Sequence, residues 1–253
     1  MLLTIDVGNT ETKLGCFVDG ELKQTWRVTT ELRRTADEYG VFFTQLFFTS
    51  NLDATQIDAV AIASVVPPLD PVLEDACLRF LRAAPKFLKP QDQRLMKIAT
   101  ESPAEVGADL VAAAIGARER FGTPLIVVSF GTATVFIALS REGEYLGVAI
   151  APGIAVSIEA LIGRTAKLPQ IALEAPRRAI GRNTNDALQS GIVFGFAGQV
   201  ESVVARMREE MGVQAQVVAT GGLAEIVAKQ TPVIAHVDPY LSLVGLELFA
   251  RKC

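Results

Sequence analysis

The chain predicts an α/β fold made of two copies of one domain, each a mixed sheet flanked by helices. Three observations carry this: a three-stranded hairpin unit opens the chain, a similar unit returns after Pro124, and helical patterns fill the intervals. In the first unit Leu2 to Asp6, Thr12 to Val18 and Leu22 to Thr29 read as strands. Val7-Gly8-Asn9-Thr10 turns between the first two, and Asp19-Gly20, a dipeptide that favours a tight hairpin, between the next two.

The second unit repeats the order. Leu125 to Ser129 is an apolar, β-branched strand, Gly131-Thr132-Ala133-Thr134 a turn, and Val135 to Leu139 the next strand. Glu142-Gly143 and Tyr145 to Ile150 complete it. Asp6-Val7-Gly8-Asn9-Thr10 overlays Ser129-Phe130-Gly131-Thr132-Ala133, and a repeat this long and this few-fold points to domain duplication rather than a solenoid. Helical spacing predicts helices over Thr35 to Phe48 and Asp70 to Arg82. Another starts at the capping-box sequence Ser102-Pro103-Ala104-Glu105 and runs to Phe121, and a long one spans Asn185 to Met211, with a break expected at Gly195 or Gly198. Gln216 to Thr220 reads as a strand entering Gly221-Gly222 and a further helix, and Tyr240 to Phe249 as a closing amphipathic helix. The repeat places the domains at 1-120 and 121-253.

Half of the 253 residues are hydrophobic and 21% are charged, the balance of an ordered globular protein. A net charge of -4 with mixed-sign clusters, as at Glu31 to Arg34 and Arg206 to Glu210, argues against a nucleic-acid binder. Three cysteines cannot all pair, and none stands at metal-ligand spacing to the single His236, which fits a reducing cytosol. The apolar runs Ala59 to Pro68 and Gly191 to Gly198 fall short of a membrane span, so a cytoplasmic protein without a membrane partner is expected.

Chemistry gathers at the two hairpin turns. Asp6 ends a strand, where its carboxylate can orient a water or a metal. Gly8 lets a ligand approach the backbone, and Asn9, Thr10 and turn amides can donate to phosphate oxygens. Taken alone this is what any hairpin turn looks like. Its recurrence at Gly131-Thr132-Ala133-Thr134 favours a paired phosphate grip, in a chain lacking both the G-x-x-x-x-G-K-[ST] and G-x-G-x-x-G patterns. Such paired loops resemble those of the superfamily of sugar kinases, actin and heat-shock ATPases, whose domains are actin-like or ribonuclease H-like. Val218-Ala219-Thr220-Gly221-Gly222 is similar to its adenosine loop.

A narrower resemblance covers nearly the whole chain. Asp6 to Thr10, Arg34-Thr35-Ala36-Asp37-Glu38, Ala63-Ser64-Val65-Val66-Pro67, Val106-Gly107-Ala108-Asp109 and Gly131 to Thr134 resemble successive motifs of the type III pantothenate kinases. So do Ala151-Pro152-Gly153, Thr165-Ala166-Lys167-Leu168-Pro169 and Gly181-Arg182-Asn183-Thr184. The resemblance implies a cytoplasmic homodimer that transfers the γ-phosphate of ATP, with magnesium, to the hydroxyl of pantothenate, the first step towards coenzyme A. It assigns Asp109 as catalytic base, and Asp6, Val7, Gly8, Asn9, Thr10, Glu11, Thr12 and Lys13 to ATP, with Gly131, Thr132, Gly221 and Gly222. Asp6 would also hold magnesium through water. Thr100, Gly107, Ala108, Asp109 and Leu110 would line the pantothenate site, which Thr184 of the other subunit would reach. Asp109, near the start of a helix, is expected to stay ionised with help from the macrodipole.

Four residues differ from the family pattern. Ser129 stands where the family has an Asp that binds a monovalent cation, potassium or ammonium, and Leu110 replaces an Arg that helps hold the substrate. Val135 replaces a Thr and Val148 a Gly. Arg182 is the candidate to supply the missing donor to the pantothenate carboxylate. Two other readings stay open beside the pantothenate kinase: a nucleotide- or metabolite-binding regulator that has lost catalysis, and a kinase for another small alcohol.

Overall fold

The structure, a computed structural model, describes residues 1–165, 168–169 and 171–252; Ala166 and Lys167 of the Thr165 to Pro169 motif lie outside them, as does Cys253. The chain forms two compact units, Met1–Glu119 with Tyr240–Cys253, and Arg120–Pro239.

The sheet of the first unit runs β3-β2-β1-β4-β5, built from β1 (Leu2–Val7), β2 (Glu11–Val18), β3 (Glu21–Thr29), β4 (Ala59–Ser64) and β5 (Pro85–Phe87). β1, β2 and β3 pair antiparallel, whereas β4 lies parallel to β1 and β5 parallel to β4. Leu3, Ile5, Leu14 and Ile62 are fully buried there, packed with Phe43, Phe47 and Leu73. Two helices supply those partners, α1 (Ala36–Thr49) and α2 (Asp70–Ala76). Thr35 caps α1 in a complete capping box with Glu38, and a π-helical turn, Cys77–Leu81, continues α2 to Arg82 in the left-handed region. Trp26 on β3 packs against Phe47 of α1, the rings tilted by 42° with centroids 5.2 Å apart.

α3 (Ala108–Phe121) starts six residues beyond the capping-box Ser102. Residues Pro103–Glu105 form only a 3-10 turn without a side-chain cap, and Val106 is extended, which halts helical hydrogen bonding there. The Gly107 carbonyl accepts the first helical bond, from Val111. The last helix of the chain, α7 (Leu241–Lys252), belongs to this unit, against β1, β2 and β4. The expected boundary had assigned it to the second half. Nor is it amphipathic: every residue from Leu241 to Phe249 is buried.

In the second unit the sheet order is β10-β9-β6-β7-β8, from β6 (Leu125–Phe130), β7 (Ala133–Leu139), β8 (Tyr145–Pro152), β9 (Gln216–Gly221) and β10 (His236–Val237). Strand directions repeat those of the first sheet, β6 standing where β1 does and β9 where β4 does. Duplication is therefore visible in topology. The last paired residues flanking the first turn are Val7 and Thr12, and those flanking the second are Phe130 and Thr134, so the second turn is one residue shorter. α4 (Ile154–Gly163), α5 (Thr184–Met211) and α6 (Ala224–Ala228) complete the unit, where Val200, Val204, Val217 and Val227 form part of the core. α5 runs unbroken through Gly195 and Gly198, because one face is anchored by Val193, Ala197 and Val200. No described helix is long and apolar enough to cross a membrane.

Candidate active site

Asp6 is the penultimate residue of β1, and the register of β1 with β2 places Lys13 directly opposite. Lys13 Nζ lies 4.0 Å from Asp6 Oδ2. The same oxygen accepts a 2.6 Å hydrogen bond from the Ser242 hydroxyl, at the start of α7. Asp6 is 7% exposed. Burial pushes its carboxyl above the ordinary range, with Lys13 and Ser242 pulling back and Glu11 adding to the rise.

Asp109 is the second residue of α3. Burial, and then the negative charge of Asp6, raise its carboxyl to about 6. The backbone amides of Leu110 and Asp109 and the charge of Lys13 oppose the rise. Helix-end stabilisation alone predicts an ordinary, fully ionised carboxylate; burial outweighs it here. Gly107 matters to this arrangement, since a Cβ there would stand 2.5 Å from Asp109 Oδ1. The carboxylate folds back over the space that the missing side chain leaves. Thr100 has a buried hydroxyl with no protein partner among the described residues, and Leu110 is half-buried.

Thr30, which no motif marked, shapes the first hairpin turn. Its hydroxyl donates to the Gly8 carbonyl at 2.7 Å and accepts from Thr12 at 2.9 Å, while its amide donates to the Thr10 carbonyl. Gly8 bonds across the turn to Glu11, and a Cβ on it would meet the Glu11 carbonyl at 2.9 Å. Asn9 and Thr10 are left exposed at the tip. The Glu11 side chain makes a two-bond ion pair with Arg27 on β3.

In the second unit Gly131 and Thr132 are exposed at the β6–β7 turn. Gly153 buttresses them: its amide donates to the Thr132 carbonyl, and a Cβ would sit 2.3 Å from that oxygen. Gly221 holds φ +99° and a Cβ would lie 2.2 Å from the Phe130 carbonyl, so only glycine fits beside the turn. Gly222 follows, exposed. Ser129 is registered between Val135 and Thr220, a neutral set without a carboxylate.

Gly181-Arg182-Asn183-Thr184 forms the entry to α5. Asn183 caps it, accepting from the Asp186 amide at 2.9 Å, and Gly181 packs so closely that a Cβ would stand 2.3 Å from the Ala187 nitrogen. Arg182 and Thr184 are exposed. Arg118 and Arg120 are committed elsewhere, Arg118 to the Leu95 carbonyl and Arg120 to an ion pair with Asp238. His236 is stacked on Phe121.

The arrangement offers a buried and a half-buried carboxylate with a lysine in the first unit, and glycine turns with exposed polar residues in both. Comparison with known proteins identifies the family. Residues 2–206 match the family described as Type III pantothenate kinase. A Type III pantothenate kinase of Anaeromyxobacter sp. is 48% identical over 252 residues, covering 100% of this chain and 99% of that protein. One from Moorella thermoacetica is also 48% identical, with the same coverage. Among solved structures, the activator of the 2-hydroxyisocaproyl-CoA dehydratase from Clostridium difficile, solved with bound ADPNP, superposes with a TM-score of 0.55. It is 13% identical and covers 98% of this chain and 93% of that one, a likeness of fold. The chain belongs to the type III pantothenate kinase family.

Proposed function

We infer that this protein transfers the γ-phosphoryl group of ATP to the hydroxyl of pantothenate, the opening step of coenzyme A synthesis. The observation that carries the reading is the Asp6–Lys13–Asp109 cluster beside a glycine turn, in a chain of this family. Asp109 takes the proton of the attacking hydroxyl. With its carboxyl raised to about 6 it is ionised at neutral pH yet more basic than a surface aspartate. Lys13 offsets the charge of the two carboxylates and of the phosphates. Asn9, Thr10 and Thr132 donate to phosphate oxygens, Gly8 and Gly131, whose amides close their own turns, let the phosphates approach the backbone, and Gly221 and Gly222 take the adenosine. The buried Thr100 hydroxyl, without a protein partner among the described residues, supports the assignment of Thr100 to pantothenate along with Gly107, Ala108 and Leu110.

Asp6 suits magnesium. Oδ2 is held by Ser242 and Lys13, Oδ1 has no protein partner among the described residues, and magnesium characteristically takes one or two carboxylates plus phosphates and water. Bound there with ATP, the ion would neutralise charge on the phosphates. Ser129 brings no anionic oxygen to a monovalent cation, and neither do its register partners Val135 and Thr220. Initial rates with and without potassium at fixed ionic strength should therefore differ by less than about twofold, and Ser129→Asp should create a dependence. A strong potassium requirement in the natural protein would contradict this.

The pantothenate carboxylate needs a donor that Leu110 cannot supply, because a desolvated carboxylate without a partner is costly. Arg182 is exposed and, among the described residues, unpaired, which supports its assignment to the pantothenate of a second subunit together with Thr184. Arg182→Ala should raise KM for pantothenate about tenfold and that for ATP much less, the loss of one charge-assisted bond of ~1.5 kcal/mol. Leu110→Arg should lower it. If neither moves the pantothenate KM, the compensation fails.

The homodimer rests on exposed apolar residues of the second unit: Ile180 is 82% exposed and Ile150 66%, with Val148 and Leu161 also exposed. The apolar segment Gly191 to Gly198, more hydrophobic than a one-sided surface helix needs, reads from sequence as a dimer face, but it is accounted for within the unit. Val193 and Ala197 face the core of the unit, and the exposed side is Gly191, Gly195 and Gly198. Cys16 and Cys77 are free and buried, in keeping with the cytoplasm.

A further inference from the structure

Ser242 lies beyond the residues that match the family and 236 positions from Asp6 in sequence, yet its hydroxyl meets Asp6 Oδ2 at 2.6 Å. We propose that Ser242 is a positioning residue for phosphoryl transfer: it fixes one oxygen of Asp6 so that the other is aimed at the ATP-bound metal. The proposal rests on the reading of Asp6 as the metal-side carboxylate.

Three features of the first unit support it. An ionised carboxylate only accepts, so the serine must donate, and 2.6 Å is the length of a charge-assisted O–H···O bond. Ser242 is buried, 6% exposed, in the first turn of α7, where the positive end of a twelve-residue helix also favours a carboxylate. The helix cannot drift, because two glycines lock it onto α3. A Cβ on Gly116 would stand 2.1 Å from the Leu241 carbonyl, and one on Gly245 would stand 1.8 Å from the Ala112 carbonyl. α3 carries Asp109 in its own first turn. One backbone-to-backbone contact therefore sets the positions of both the base and the residue that orients Asp6.

A purely structural tie between α7 and β1 would not require this pair. A buried charged hydrogen bond is seldom more stabilising than an apolar contact of the same volume, so stability alone does not account for the pair. Lys13 alone does not fix the carboxylate, since at 4.0 Å it attracts without defining a direction.

The test compares the full-length protein with Ser242→Ala and Ser242→Thr. Titration calorimetry with a non-hydrolysable ATP analogue, with and without magnesium, reads the metal-dependent gain in affinity. Steady-state kinetics read kcat and both KM values, and thermal melting reads stability. In the Ala variant the magnesium-dependent gain should shrink about fivefold or more and kcat fall about tenfold, while KM for pantothenate stays within twofold. The Thr variant, which keeps the hydroxyl, should recover most of both. An Ala variant with the natural magnesium gain and kcat overturns the proposal. So does a loss that tracks melting temperature alone and leaves both per folded molecule unchanged. If the natural protein binds the analogue but phosphorylates no pantothenate, the functional reading fails, and the calorimetric arm still decides Ser242.

Discussion

Replacing Asp109 with asparagine should lower phosphoryl transfer by about 10²- to 10⁴-fold and leave the affinity for ATP nearly unchanged. The amide occupies almost the same volume over Gly107 but cannot accept the proton of the attacking hydroxyl. pH sharpens the test. The base must be deprotonated to act, and its carboxyl is raised to about 6, so kcat/KM of the natural enzyme should climb with a limb near pH 6. That limb should be missing from what activity Asp109→Asn retains. The same shift bears on stability with a definite sign. A carboxyl whose folded value is raised binds its proton more tightly in the folded state, so its contribution is complete below the ordinary aspartate value and is lost as pH rises through about 6. Asp109→Asn should accordingly melt higher than the natural protein at pH 7 and no higher at pH 3. Unchanged turnover at pH 7 would remove Asp109 from the role of base.

The largest effect on folding is expected at Gly245. A Cβ there would lie 1.8 Å from the Ala112 carbonyl oxygen and 2.7 Å from its carbon, both backbone atoms that no rotamer change can move aside. Gly245→Ala must push α7 off α3. Overpacking of this kind typically costs ~1–3 kcal/mol and sometimes more. The ~1 kcal/mol gained by replacing a helical glycine offsets only part of it. The melting temperature should fall by roughly 5 °C, at ~2–4 °C per kcal/mol for a chain of this size. Gly191→Ala is the internal control. Gly191 is also helical, but nothing lies within 4 Å of its would-be Cβ, so the same change there should be neutral or stabilising. Differential scanning calorimetry of the two variants checks the contrast; equal melting temperatures would mean that the α3–α7 contact is not tight.

Hairpins were legible in the sequence because their strands are bounded by turn residues with defined backbone needs, as at Asp19-Gly20 and Gly131. Strands β4, β5 and β10 were not. β4 is a continuous buried run, Val60 to Ala63, covered on both faces, so it shows no alternation to distinguish it from part of a helix. β5 and β10 are three and two residues long, too short to carry a period. At Ser102 the capping-box letters were present while the backbone that uses them was not, since Val106 is extended. Glycine turns and Asp109 could be named from short motifs, but the register that pairs Asp6 with Lys13 comes from the sheet. Ser242 gave no signal at all. A lone serine in an apolar segment reads as packing until the fold brings it to its partner. The same holds for α7, whose place at the chain end says nothing of which sheet it covers.

Incubation of the purified protein with ATP, magnesium and pantothenate, followed by mass spectrometry of the products, tests the central reading most directly. ADP and singly phosphorylated pantothenate should accumulate in equal amounts, in buffer free of potassium and ammonium. Tight binding of ATP with no phosphorylated product from pantothenate would contradict it. In that case a screen of other small alcohols as acceptors would separate a kinase of changed substrate from a nucleotide-binding regulator.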